Sequence, residues 1–446
     1  MTRVLRRIGA LLAAFSERFV PDAFAFAVLL TMGVFGLALA LTPRSPLELA
    51  DDWYRGFWDL LAFGMQMSLV LVTGHALAGA PLVRKALARI SELPRSGRSA
   101  VALIAFCAGV LGLVHWGLGL VTGALLAREM ARAARRRGIR VHLPLAAAAG
   151  YAGLVVWHSG LSGSAPLLVN TAGHFLEGTI GLVPLRETLF RPFNLAYVAC
   201  VVGIGPFLLA ALHPLDDEVL EIEDQIEGPQ PATAADAARV VDRLAASPLL
   251  VWPVVAAGAA YLVPHFWRAG PLAVDLNVVN FAFLLLGLAL HGSLADYTDA
   301  AAEGARAATG VILQFPFDAG ILGRLVHSGL VRLVADAFVG ISTPLTFPFW
   351  AMLSAALVNL AVPSGGGQWA VQGPIVVEAA RALDVDTGRA VMAVVFGDQL
   401  TNMIQPFWAL PLLGITGLRA GQVLGYTAVL MLLAFAAAAA AITVLP

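Results

Sequence analysis

The chain has 446 residues, 59% hydrophobic and only 13% charged, with a formal net charge of −1. That balance excludes an ordinary soluble domain and points to a polytopic membrane protein, because apolar stretches of about 20 residues recur along nearly the whole length. The two cysteines, Cys107 and Cys200, lie in apolar segments without CxxC spacing, so neither a metal site nor a structural disulfide is expected.

The N-terminal Met1-Thr-Arg-Val-Leu-Arg-Arg7 resembles a signal n-region, but many further apolar runs follow it and no small-residue cleavage site is evident, so a retained cytoplasmic end is expected. Helices are predicted at 20–42 and 57–80, separated by a loop holding Glu48, Asp51, Asp52 and Arg55 and followed by a basic loop with Arg84, Lys85, Arg89, Arg95 and Arg98. The run 99–134 is interrupted by His115-Trp-Gly-Leu-Gly119 and ends in Arg128, Arg132, Arg135, Arg136, Arg137 and Arg140. Two basic ends favour a re-entrant hairpin that returns to the cytoplasmic side, although two full crossings would also satisfy the charges.

The run 143–175 is interrupted by His158-Ser-Gly-Leu-Ser-Gly-Ser-Ala-Pro166 and reads as a discontinuous helix, followed by a span at 193–212. Residues 213–248 carry Asp216, Asp217, Glu218, Glu221, Glu223, Asp224 and Glu227 and read as an acidic cytoplasmic linker. Spans follow at 249–267, 274–291 and 304–326, then a second hairpin at 345–382, a second split helix at 387–414 interrupted by Asp398-Gln-Leu-Thr-Asn-Met-Ile-Gln-Pro406, and a last span at 421–444.

The turn of the second hairpin, Pro363-Ser-Gly-Gly-Gly-Gln368, reads as a helix break inside an apolar run. In lipid each unpaired backbone group costs several kcal/mol, so non-helical backbone survives only where protein packs it or water reaches it. A site for a polar ligand is therefore expected there. The order of interruptions recurs in the two halves, and the extra span at 249–267 would flip the second relative to the first. The predicted fold is all-α, with two inverted-topology membrane repeats, 1–212 and, after the extra span, up to 446, each with a re-entrant hairpin and a discontinuous transmembrane helix. Paired broken helices of this kind form transporter sites near the midplane.

Phe57-Trp-Asp-Leu-Leu-Ala-Phe-Gly-Met-Gln-Met67, Val72-Thr-Gly-His-Ala76, Ser162-Gly-Ser-Ala-Pro-Leu-Leu168, Gln314-Phe-Pro-Phe317, Val362-Pro-Ser-Gly-Gly-Gly367 and Gln405-Pro-Phe-Trp-Ala-Leu-Pro411 stand in order along almost the whole chain. Together they resemble the bacterial short-chain fatty acid transporter family, whose members take up acetoacetate- and butyrate-like monocarboxylates. The resemblance implies secondary transport by an elevator-like motion, a homodimer in the inner membrane, and no enzymatic activity. The chain departs from the family pattern at His115, where Asn is expected, at Trp157-His158, at Gln368 in place of His, and at Asp398 in place of Glu.

For substrate binding the expected residues are Ser162, Gly163, Ser164, His115 and His158 in the first half and Ser364, Gly365, Gly366, Gly367 and Gln368 in the second. Hydroxyls, amides and helix N-termini suit a carboxylate, and no Arg or Lys falls in either break. Asp398 is an ionisable group at membrane depth and is expected to couple to H⁺ or Na⁺, with Thr401, Asn402 and Gln405 as oxygen ligands. Packing roles remain open for His75, His115 and His158. The expected function is cation-coupled monocarboxylate symport, with the small acid and the lipid bilayer as partners, no cofactor and no nucleic acid. A dicarboxylate carrier or a cation/proton antiporter is the alternative within the class. An intramembrane enzyme finds no HExxH or Gly-x-Ser-x-Gly support, and a passive channel would lack saturation.

Overall fold

The computed structural model describes residues 23–214, 219–222, 245–360 and 364–446. The N-terminal basic segment, most of the acidic linker, Val362 and Pro363 lie outside the described residues, as do the side chains of Pro406 and Phe407. Every regular element among the described residues is helical.

α1 (Ala23–Leu41) is followed by α2 (Pro46–Gly56), which the sequence reading treats as loop. Ser45 caps it reciprocally with Glu48, Pro46 pre-sets the first turn, and an apolar stripe buries Leu49. A break at residues 57–60 leads into α3 (Leu61–Gly79) and then amphipathic α4 (Pro81–Ser91), again in a stretch expected as loop. α5 (Gly97–Val114) and α6 (Trp116–Arg136) form the first hairpin. α7 (Leu143–Tyr151) passes into short 3₁₀ turns at Ala152–Val155 and Trp157–Ser159 before α8 (Ser164–Val169). α9 (Pro192–Ala211) closes the first half.

α10 (Val251–Ala269) has no counterpart in the first half. α11 (Leu276–His291) is capped by Asp275 and stopped by the left-handed Gly292. α12 (Leu294–His327) begins ten residues before the predicted 304, because Ser293 caps it through the Asp296 N–H at 3.1 Å. α13 (Leu330–Ile341) is amphipathic; α14 (Phe347–Asn359) and α15 (Gly365–Ala382) are the arms of the second hairpin. α16 (Thr387–Thr401), a 3₁₀ turn at Asn402–Ile404, α17 (Pro406–Thr416) and α18 (Ala420–Val444) complete the chain. The order in the first half is thus matched in the second, with continuous α12 standing where the pair α2–α3 stands.

Among the described residues five helical stretches are long and apolar enough to cross a membrane, and they differ in how they are buried. The broken run Leu143–Val169 is 94% buried, whereas Ala420–Val444 is 44% buried. In the broken run Leu143–Val169 the backbone thus leaves the helix where protein surrounds it, which is the condition lipid imposes. Large apolar side chains such as Phe207, Tyr261, Val263 and Trp267 point outward on the peripheral helices. The hairpin α5–α6 is pressed onto α7 at a backbone-to-backbone contact: a Cβ on Gly123 would lie 2.1 Å from the Gly150 carbonyl oxygen, so only glycine fits there.

Candidate functional site

Both split helices expose backbone that their neighbours must satisfy, and the site grows out of that requirement. α16 is intact through Asp398 and ends at Thr401, so the break occupies Asn402–Gln405 rather than starting at Asp398 as the sequence suggests. The reason lies on α14: Asn359 Nδ2 donates to the Asp398 carbonyl at 2.6 Å and also lies 2.9 Å from Thr401 Oγ1 and 2.8 Å from Asn402 Oδ1. Gln405 Nε2 donates back to the Asn359 carbonyl. Tyr151 Oη donates to the Asn402 carbonyl at 2.9 Å, and Thr427 serves the Met403 carbonyl. Asn359 Oδ1 and Gln405 Oε1 remain buried without partners.

One turn back on α16, Asp398 Oδ2 accepts from His158 Nδ1 at 2.9 Å, with both side chains essentially inaccessible. His158 Nε2 lies 3.0 Å from the Ala165 N–H. A backbone N–H can only donate, so that ring nitrogen carries the lone pair and the proton sits on Nδ1, facing the carboxylate. Ser164 Oγ, 3.1 Å from the same nitrogen, completes the arrangement. Gln399 beside Asp398 accepts from the Ser159 N–H at 3.2 Å, tying the first break to the second. Asp398 Oδ1 is buried and unpartnered.

The glycine triplet is not a break. Gly365, Gly366 and Gly367 form the first turn of α15, capped by Ser364 through the Gly367 N–H at 3.3 Å. Their use is close approach: a Cβ on Gly365 would meet Trp157 at 2.7 Å and His158 at 2.8 Å, and one on Gly366 would meet Phe315 at 2.8 Å. The N-terminus of α15 thereby rests on the His158 ring, with its N–H groups and dipole directed into the polar centre. Gln368 turns the other way and donates to the Ala355 carbonyl at 2.8 Å and to Gln372 at 2.9 Å, clasping the two hairpin arms.

The first hairpin turns at His115 alone, Trp116 to Gly119 being already helical. His115 caps α6 through the Leu118 N–H at 3.3 Å and packs tilted against the Phe283 ring, centroids 4.2 Å apart, away from the His158 group. Ser162 Oγ accepts the Trp116 N–H at 2.8 Å, so this hydroxyl ties the first split helix to the hairpin, and Gly163 packs against the His158 carbonyl. His75 lies 3.5 Å from Glu303, also apart from the centre. Thus His158, Ser164, Asp398 and Gly365 converge, while Gly366 faces Phe315 and Phe63 and Gly367 faces Asp318; Thr401, Asn402 and Gln405 gather around Asn359. A recess of about 410 Å³ between α3 and α12, lined by Met65, Leu69, Val72 and Ile312, is apolar and separate from them.

Sequence reasoning missed Asn359, Gln399, Tyr151 and Asp318. For Asp318 the signal was present, since a carboxylate in the run 304–326 meets the same criterion that singled out Asp398.

A family model described as short chain fatty acid transporter matches residues 4–445. A candidate short-chain fatty acid transporter of Escherichia coli (strain K12) is 40% identical over 426 residues, covering 95% of this chain and 96% of the relative. One from Haemophilus influenzae is 37% identical over 433 residues, covering 95% and 96%. Among solved structures, the YdaH transporter of Alcanivorax borkumensis superposes with a TM-score of 0.60 at 17% identity, covering 95% of this chain and 97% of that one. MtrF of Neisseria gonorrhoeae, described with a class of antimetabolite efflux pumps, gives 0.61 at 17% identity over 98% of each chain. At that identity the likeness concerns the fold.

Proposed function

The chain belongs to the short chain fatty acid transporter family, and from that membership we propose that it is a secondary active transporter moving an acetoacetate- or butyrate-like monocarboxylate together with H⁺ or Na⁺. The recurring element order supports two inverted repeats, the basic residues from Arg84 to Arg98 and from Arg135 to Arg140 support a cytoplasmic N-terminus in the bacterial inner membrane, and the reading includes a homodimer.

The observation that carries the coupling is the cluster on Asn359. The Asp398 carbonyl, Thr401 Oγ1 and Asn402 Oδ1 converge on one point at the C-terminal end of a half-helix, now filled by an amide nitrogen. Half-helix C-termini and freed carbonyls suit a small monovalent cation. The donor set fits: the unpartnered Asn359 Oδ1 would join the other oxygens if that amide turned over.

For the anion, the N-terminus of α15 with Ser364 offers N–H groups, a hydroxyl and a helix dipole. Among the described residues no Arg or Lys touches this centre, which favours a monoanion over a dianion. The short acyl chain is placed against the indoles of Trp157, Trp116 and Trp408, which meet edge to face at 5.7 and 5.5 Å. Trp369 of α15 is fully buried and packed on Gly373, so it is turned away from that contact.

The test is uptake of labelled butyrate and acetoacetate into proteoliposomes under imposed proton and sodium gradients of either direction, which also reads import against efflux. Saturable, gradient-driven accumulation is expected. No accumulation of any short acid sinks the substrate assignment.

A further inference from the structure

Asp318 lies in α12, two residues beyond Pro316, with its side chain fully buried and neither carboxyl oxygen hydrogen-bonded. It is aimed at the start of α15: a Cβ on Gly367 would lie 2.2 Å from Asp318 Oδ2 and 3.2 Å from Ser364 Oγ. Gln314, one turn earlier on the same face of α12, is also buried and leaves Nε2 unpartnered.

The ionisable groups on surrounding elements are engaged elsewhere or distant along their helices. Arg324, farther along α12, donates to the Leu49 and Thr31 carbonyls, and Asp52 of α2 lies 3.9 Å from Arg44. α1 brings none, α3 has only His75 beside Glu303, and α11 has only His291, bonded to the Ala76 carbonyl. Glu378 and Arg381 stand at the far end of α15, Arg332 and Asp336 on α13, and the His158–Asp398 pair lies across Gly365. An ionised carboxylate left alone in such a place is unfavourable, and intramembrane acids without partners mark proton or ion pathways.

We infer that Asp318 is a proton-carrying site of the transport cycle, separate from the Asn359 cluster. Its carboxylate takes a proton from water on one side of the membrane, keeps the O–H bond while buried against Gly367, and returns the proton to water on the other side. Oδ2 is packed against the Gly367 backbone, a fit that a proton tolerates better than a sodium ion with its shell of ligands. The inference rests on the transport reading in one respect: a substrate carboxylate at the N-terminus of α15 would be repelled by an ionised Asp318, so the proton loads first.

Infrared difference spectra of purified wild-type protein against Asp318→Asn read the acid without any substrate. A protonated-carboxyl band that vanishes in the variant is expected, and a wild type lacking that band overturns the inference. In proteoliposomes, Asp318→Asn is expected to lose proton-driven butyrate uptake while keeping butyrate exchange and its response to sodium. Full proton-driven accumulation by the variant overturns the proton role and leaves the transport reading standing. Wild-type vesicles that accumulate no short acid sink the transport reading, while the infrared band still decides whether Asp318 holds a proton. Should Asp318→Asn fail to fold, Asp318→Glu keeps an acid at the same place on α12 and must move the band; an unmoved band overturns the assignment.

Discussion

Replacing Asn359 by Leu, similar in volume, removes the donor on which the end of α16 closes. Nδ2 faces three acceptors, the Asp398 carbonyl at 2.6 Å, Asn402 Oδ1 at 2.8 Å and Thr401 Oγ1 at 2.9 Å. Its two hydrogens serve two of them at a time, and the Thr401 hydroxyl also donates to the Ala356 carbonyl at 3.1 Å. Leucine therefore strands two buried acceptors, at about 1–3 kcal/mol each, or about 2–6 kcal/mol together. A hydrophobic gain does not offset this, because lipid tails are as apolar as leucine. The assay is thermal unfolding of the purified protein with sodium and with choline in its place. A cation that binds only the folded state stabilises it by about 2.7 kcal/mol at a hundredfold excess over its Kd. The wild type should gain from sodium, whereas Asn359→Leu should melt lower and not respond. A variant that melts with the wild type refutes the hydrogen-bond accounting, and one that keeps the full sodium shift refutes the cation site.

Asp398→Asn keeps the shape beside His158 Nδ1 but removes the charge, and it should abolish gradient-driven uptake while sparing counterflow more; unchanged concentrative uptake would rule out a coupling role. Gly365→Ala should improve helix propensity by about 1 kcal/mol if the glycine were merely helical. Its Cβ instead meets ring atoms of Trp157 and His158 at 2.7 and 2.8 Å, an overpacking cost of about 1–3 kcal/mol. Loss of transport without a stability gain is expected, and a more stable, fully active variant would show that the close approach is unimportant.

The apolar runs were legible because their length is set by the bilayer, and the predicted spans at 274–291, 193–212 and 421–444 fall within two residues of α11, α9 and α18. What was lost is what sequence spacing cannot encode. α2, α4 and α13 are too short and too polar on one face to register as spans, although Ser45-Pro-Leu-Glu48 carried a readable capping box. The charged start of α12 was taken as loop for the same reason. The triplet Gly365 to Gly367 carries the composition of a break, yet it is the capped first turn of α15, and its glycines answer to Trp157, His158 and Phe315, which leave no room for side chains. Asn359 looked like one more polar residue at the end of an apolar run; its role depends on residues some 40 positions later.

His158 and Asp398 are 240 residues apart in sequence, as are Ser159 and Gln399, and this separation bears on biogenesis. At ordinary translation speeds roughly 10–50 s pass between the emergence of the two partners from the ribosome. For that interval the first broken helix holds an imidazole and freed peptide groups for which the nascent chain has not yet made the matching side chains. The first half on its own is thus left with unmet polar groups at the heart of its bundle, and it becomes a finished structure only when the second half inserts beside it. Expressing residues 1–212 alone should therefore yield a species that quality-control proteases recognise, and co-expression with 213–446 should rescue it.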